Sequence, residues 1–313
     1  MPNSSSATLI PFEPRRTSIA EHLEAFSRKL AVDGRSKHTI SAYRRDLVRV
    51  FETLESLRPA LGIADVTPGL LDEVFAAPAI ANTAKGERSA SSLHRLKAAL
   101  KAFFAWATEN TLVRENPARY IRLKRLPRKP PSFLTQAEKR KLLKELKGRT
   151  SPTDRRDRVM IEVLLGTGIR LGELVGLDVA DVDLDAKHLR VRAKGNVCQV
   201  KFLKSDLRSL LRKYLAERRR LAPSEEGALF LSNRGTRISA RQVAHRLEHW
   251  LRKARIEKSI SPHSLRHTFA THLYEATSDL LIVQRALGHR DIGTTEIYTH
   301  LVDGQLEEAL ERL

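Results

Sequence analysis

The second half of this chain carries side chains whose types suit the cutting of a phosphodiester. Arg170 sits in Thr-Gly-Ile-Arg-Leu-Gly-Glu-Leu (167–174), and His263 and Arg266 sit in His-Ser-Leu-Arg-His (263–267). His289 and Tyr298 follow in Gly-His-Arg-Asp-Ile-Gly-Thr-Thr-Glu-Ile-Tyr-Thr-His (288–300). When an oxygen attacks a phosphodiester, the pentacoordinate state gathers negative charge on the non-bridging oxygens, and guanidinium forks match that geometry better than ammonium groups do. A phenol with a reference pKa of about 10 must lose its proton as it attacks, which clustered cations make easier. Such a set needs no metal. Arg170 follows Gly166-Thr-Gly168, a glycine-relieved helix end that lets a phosphate come close, and Ser261-Pro262 is a good helix start. A spacing of three puts His263 and Arg266 on one helical face, within reach of one phosphate.

Composition points the same way. Lys and Arg number 56 against 37 Asp and Glu, a formal charge of +19, and such a field favours a polyanion. Basic residues recur at Arg15–Arg16, Arg119–Lys129, Arg155–Arg158, Arg212–Arg220 and Arg252–Lys258, a footprint expected of a protein that wraps its partner. Solvated helix faces explain some of these runs but not the excess of positive over negative. No apolar stretch approaches the ~20 residues of a membrane-spanning helix. Residues 1–16 lack the basic start and apolar stretch of a secretory signal and read as a disordered tail. The single cysteine, Cys198, excludes an internal disulfide and a multi-cysteine zinc site, and fits a reducing cytoplasm.

These residues need a scaffold, and the chain reads as mainly α in two domains. Residues 17–115 form a compact four-helix domain. Ser18-Ile-Ala-Glu21 is a capping box before Leu23, Phe26 and Leu30, and a second helix carries Ile40, Tyr43, Leu47, Val50, Phe51 and Leu54. Arg44 and Arg45 lie on the exposed side of that helix as DNA-binding candidates. Thr67-Pro68 opens a third helix, and Ser89 to about Glu109 forms the fourth. Residues 116–132 read as a basic, proline-rich linker whose Arg122, Lys124 and Arg125 lie along a phosphate backbone, although an ordinary solvated linker would share its composition.

Thr135-Gln-Ala-Glu138 is a second capping box and opens a mostly helical domain over 133–301. Strand patterns Leu189–Ala193 and Val197–Leu203 flank Lys194-Gly-Asn, a tight hairpin turn, and Ala228–Ser232 reads as another short β element. Arg241 and Gln242, at a helix start after Ser239, are candidates for reading base edges. Residues 302–313, with Leu306, Leu310 and Leu313 among Glu307, Glu308 and Glu311, form a small amphipathic helix. His245 and His249 stand at i, i+4 without a third ligand, so no metal site and no cofactor is expected. Gly166-Thr-Gly168 lacks the Lys-Ser/Thr ending of a nucleotide loop, and Trp250 reads as core.

The ordered set of motifs resembles the tyrosine recombinase, or phage-integrase, family, and within it the Xer-like members. The resemblance runs from about Ser18 to Leu301. Thr167–Leu174 looks like the first-arginine box, His263–His267 the His-x-x-Arg box, Leu287-Gly-His289 the second-histidine box, and Ile297-Tyr298-Thr-His the nucleophile box; Lys194 matches the hairpin lysine. The resemblance implies an N-terminal SAM-like core-binding domain and a catalytic domain with a small antiparallel sheet, forming a C-shaped clamp on DNA. It implies that Tyr298 attacks the phosphorus and becomes joined to the 3′ phosphate, that Arg170 and Arg266 clamp the non-bridging oxygens, and that Lys194 protonates the leaving 5′ oxygen. His263 would assist removal of the tyrosine proton and His289 would add a hydrogen bond to the phosphate. Glu173 and His267 would support these groups.

The resemblance also implies double-stranded DNA with inverted-repeat sites as partner, and a tetramer on two sites formed with itself or a related recombinase through the 302–313 helix. An accessory protein and a nucleoid location in the cytoplasm go with it. Resolution of chromosome or plasmid dimers is the expected use. A mobile-element integrase or transposase with the same chemistry, and a non-catalytic protein that binds or bends DNA, are the alternatives. One departure stands out: where the family continues its hairpin with charged residues and then Val-Pro, this chain has Val197-Cys-Gln-Val-Lys-Phe-Leu203.

Overall fold

Ser18 and Glu21 start the first helix as their spacing requires: the Glu21 carboxylate accepts from Ser18 N at 2.8 Å while Ser18 Oγ accepts from Glu21 N at 3.3 Å, opening α1 (Ile19–Val32). The computed structural model describes residues 18–84, 86–123, 131–193, 197–221 and 227–288. Contacts divide the chain into two units, Met1–Arg128 and Lys129–Leu313. No helix among the described residues is long and apolar enough to cross a membrane.

In the first unit, α1 is followed by α2 (Lys37–Leu57), α3 (Pro68–Ala76) and, after two shorter pieces, α5 (Ala90–Glu109). The four expected helices are therefore present, and their periodic apolar faces meet around Phe26, Phe51, Phe103 and Phe104. Phe103 takes Phe26 and Phe51 edge-on, with ring centroids 5.4 and 5.2 Å away. The shorter pieces were not expected: α4 (Pro78–Ala81) is one turn, and β1 (Asn82–Thr83) pairs with β2 (Gly86–Glu87). Elements this short carry no readable periodicity. Arg88 stabilises them by donating to the carbonyls of Ala79, Ile80 and Asn82.

The first residues of the expected linker are packed into this unit. Asn116 Oδ1 accepts from Ala118 N at 2.9 Å, Ala118 is fully buried, and Lys101 Nζ donates to the carbonyls of Arg119 and Ile121 at 3.2 and 2.9 Å. The charge of this stretch does not keep Ala118 out of the core, because Pro117 and Ala118 turn inward while Arg119 and Arg122 stay exposed.

The second unit opens with α6 (Gln136–Leu146), capped by Thr135 and Glu138 as expected. Then come α7 (Pro152–Thr167), α8 (Leu171–Gly176), β3 (Val182–Asp183), β4 (His188–Ala193), β5 (Val197–Phe202), α9 (Ser205–Leu221), α10 (Ala240–Lys253), α11 (Pro262–Thr277) and α12 (Leu280–Leu287). The central helix is α7, packed on α6, α9, α10 and α11. Its fully buried Asp157 accepts from Trp250 Nε1 at 3.0 Å and Arg156 Nη2 at 3.0 Å, and from Arg246 Nε. Trp250 is core, as expected.

The hairpin is part of a three-stranded antiparallel sheet in the order β3-β4-β5, in which Leu189 faces Lys201 and Val191 faces Gln199. The expected short β element at Ala228–Ser232 takes the form of antiparallel bridges without a full strand. It makes only isolated bridges, Asp178 with Ala228 and Leu231 with Arg237, and its apolar run is buried against the surrounding core rather than paired along a strand. An apolar run signals burial, and pairing needs a partner that the run itself does not specify. The expected helix at 294–301, the helix at 302–313 and the tail at 1–16 lie outside the described residues.

Candidate active site

Arg170 owes its position to the way α7 ends. Gly168 turns the chain with φ +63°, and Arg170 then stands immediately before α8. Glu173, three residues on, has both oxygens engaged with this one arginine: Oε2 accepts from Arg170 N at 2.7 Å and Oε1 from Arg170 Nη1 at 2.9 Å. The Glu173 side chain is 8% exposed and that of Arg170 46% exposed. A shielded carboxylate therefore orients a cation whose other side faces solvent. Glu173 is thus bonded to both the main chain and the guanidinium of Arg170.

Arg266 enters from α11, which begins with the Ser261 cap and Pro262 in its first turn. Its buried guanidinium donates to Gly168 O at 2.6 Å and Leu287 O at 2.9 Å, tying the end of α7 to the end of α12. His263 lies one turn earlier on the same face. Partial burial, then the charges of Arg266 and Arg170, hold its imidazole below the usual 6.5, so at neutral pH it is an acceptor of protons. The ring of His267 stands edge-on to that of His263, 4.6 Å between centroids. Arg170, Glu173, His263, Arg266 and His267 thus come together, although they derive from two stretches of sequence nearly a hundred residues apart. Lys194, His289 and Tyr298 lie outside the described residues.

The sequence reading missed two members of this neighbourhood, Gln199 and Lys201 on β5. Lys201 is 5% exposed, and burial followed by the nearby Arg266 lowers its pKa to about 8. Glu173 and Arg170 also act on it. Its signal was present in the alternation of Val197–Leu203, where every second residue points the same way, but the polar set and the apolar set compete for the inner face.

The expected DNA-contacting residues are scattered over both units. Arg44 pairs with Glu24 across α1 and α2, and Arg45 is exposed with its Nε donating to Ser41 O at 3.3 Å. Arg122 is exposed, while Lys124 and Arg125 lie outside the described residues. Arg241 is exposed in the first turn of α10. Gln242 closes the cap of that helix, its Oε1 accepting from Ser239 N at 3.0 Å, so half of its amide is committed to the fold.

Comparison with known proteins follows the same lines. Residues 132–305 match the Phage integrase family, and residues 23–111 match the description "Phage integrase, N-terminal SAM-like domain". A protein named "Tyrosine recombinase XerC" from Mycobacterium sp. (strain JLS) is 36% identical over 290 residues, which is 91% of this chain and 95% of that one. Another of the same name from Yersinia pestis is 36% identical over 286 residues, 91% of each chain. Among solved structures, a XerH site-specific recombinase bound to a palindromic difH substrate superposes with a TM-score of 0.73 at 24% identity, covering 94% of this chain and 84% of that one. At that identity the likeness speaks to the fold.

Proposed function

The chain belongs to the Phage integrase family, as a site-specific tyrosine recombinase that cuts DNA and rejoins it, and we propose that Arg170, Lys194, His263, Arg266, His289 and Tyr298 carry the reaction. Arg170 and Arg266 hold the non-bridging oxygens of the scissile phosphate. The Tyr298 oxygen attacks phosphorus as its proton passes towards His263, and the bond from phosphorus to the 5′ oxygen breaks. Lys194 gives the departing 5′ oxygen its proton, His289 adds a hydrogen bond to the phosphate, and the 3′ phosphate stays on the tyrosine. A different 5′ hydroxyl then reverses the step, so strands are exchanged with no external energy source.

The observation that supports this reading most is the convergence of Arg170, His263 and Arg266 beside the end of α12, with His289 the second residue after Leu287 in the chain. Glu173 and His267 position these groups. The wider reading is a tetramer on two inverted-repeat sites, assembled through residues 302–313 and resolving chromosome or plasmid dimers in the nucleoid. Basic residues along both units would supply a strongly salt-dependent affinity for DNA.

The test uses a nicked duplex bearing the site recovered by sequencing the DNA that Tyr298→Phe protein captures in cells. Wild type should trap as a covalent protein–DNA adduct that migrates as a shifted band under denaturing conditions. Tyr298→Phe should bind and give no adduct. An adduct with the phenylalanine variant would remove Tyr298 from its role.

A further inference from the structure

Strand β5 is inside out. Its apolar residues Val200 and Phe202 are 50% and 80% exposed, while Lys201 between them is buried. Cross-strand register puts Gln199 opposite Val191 and Lys201 opposite Leu189, and both partners are fully buried. Two polar side chains therefore point to the face where the sheet meets the core. Burying a lysine is unfavourable unless something on that face demands a donor.

The demand comes from the C-terminal end of α12. The last carbonyls of a helix have no partner within it and form the negative end of its dipole. Here Gly288 N returns to the carbonyls of Gln284 and Arg285. The next three carbonyls are met from outside the helix: Ala286 O accepts from Lys201 Nζ at 2.5 Å, Leu287 O from Arg266 Nη2 at 2.9 Å, and Gly288 O from Gln199 Nε2 at 3.4 Å. Gly288 is at φ +69°, and a Cβ there would overlap the Gln199 amide. The helix end and the strand approach as closely as a glycine permits.

We propose that Lys201 and Gln199 are positioning residues that lock the end of α12 against Arg266 and so set the point from which the chain goes on to His289 and Tyr298. Two alternate residues of one strand and the phosphate-clamping arginine hold consecutive carbonyls. Movement of β5 is thereby passed to the start of the segment with the second histidine and the nucleophile, and to Arg266. The departure of Val197–Leu203 from the family pattern has its explanation in this lock. The inference rests on the roles proposed above for His289 and Tyr298.

The experiment measures single-turnover cleavage of the same nicked duplex, its dissociation constant and the melting temperature, for Lys201→Met and Gln199→Ala. Methionine keeps the buried stem and removes the donor. Misplacement of reacting groups lowers the rate and leaves binding intact, so Lys201→Met should cleave at least about tenfold more slowly with affinity within about threefold. Its melting temperature should be no lower than wild type. A parallel duplex with sulfur in place of the 5′ bridging oxygen needs no proton for its leaving group; the Lys201→Met defect should persist on it. Cleavage at the wild-type rate, or recovery on the sulfur substrate, would overturn the proposal, the second by making Lys201 a proton donor. Should Lys201→Met not fold, Gln199→Ala decides alone: it should slow cleavage at constant affinity, and an unchanged rate would refute the lock. Wild type on the same duplex separates this from failure of the functional reading, which would show as no adduct at all.

Discussion

Gly168→Ala puts the junction between α7 and α8 to a direct test. Gly168 is at φ +63°, where an alanine is disfavoured by about 1–2 kcal/mol. A Cβ there would lie 2.9 Å from Phe269 Cε1 and 3.1 Å from Leu287 Cδ2, and would come closer still to Phe269 Cδ1. Phe269 packs against the cluster between α11 and α12 to which Leu287 belongs, and overpacking of this kind adds about 1–3 kcal/mol. Together the two effects should destabilise the catalytic unit by about 3 kcal/mol, which for a unit of its size lowers the melting temperature by roughly 6–12 °C. Cleavage should fall further than stability accounts for, because Gly168 O is the 2.6 Å acceptor that sets the plane of the Arg266 guanidinium. Calorimetric melting and single-turnover cleavage at 20 °C, where the variant remains folded, measure the two effects separately. Gly172→Ala is the control: no heavy atom lies within 4 Å of its added Cβ, and in α8 alanine should be neutral or stabilising by up to about 1 kcal/mol. A Gly168→Ala melting temperature within 2 °C of wild type would refute the packing argument, and full cleavage activity would refute the link to Arg266.

Glu173→Gln removes the charge that orients Arg170 and should slow cleavage about tenfold or more, as loss of a hydrogen bond to a charged group does, with little change in DNA affinity; filter binding and adduct formation read the two. His263 must be neutral to take a proton and its pKa lies below 6.5, so cleavage should hold level from pH 8 down to about 6.5 and decline below it, and His263→Gln should lose that decline. The linkage at Lys201 runs the other way. With a folded pKa of about 8 against 10.5 when unfolded, the unfolded chain binds the extra proton between those values, so stability gains as pH rises through that window. The gain is about 3 kcal/mol, and denaturant unfolding of wild type against Lys201→Met at pH 7 and pH 10 should show the difference narrowing by that order.

What the sequence revealed of this site was local. Glu173 and Arg170, like His263 and Arg266, are three residues apart, and helical geometry alone makes such residues neighbours. The caps at Ser18 and Thr135 were legible for the same reason. Lys201 was not, because its burial depends on carbonyls that lie some 85 residues further on and on a strand whose polarity is reversed. Ala228–Ser232 was legible as a short β element, but not its partners, since its hydrogen bonds go to Leu177, some fifty residues earlier, and to the Thr236–Ile238 segment. Arg44 read as an exposed DNA-binding candidate, and its partner Glu24 is visible only once α1 and α2 are packed together.

Glu173 holds Arg170 and two main-chain carbonyls hold Arg266 within the fold itself. Both guanidinium groups have therefore already given up their rotamer freedom when the chain folds, and a phosphate that arrives meets donors with no searching left to do. Long flexible cations would have to be frozen at the moment of encounter. The ordering penalty is moved from the reaction to folding, so a loss of rigidity at Glu173 or Gly168 should show itself in the barrier to strand cleavage even while the complex with DNA still forms.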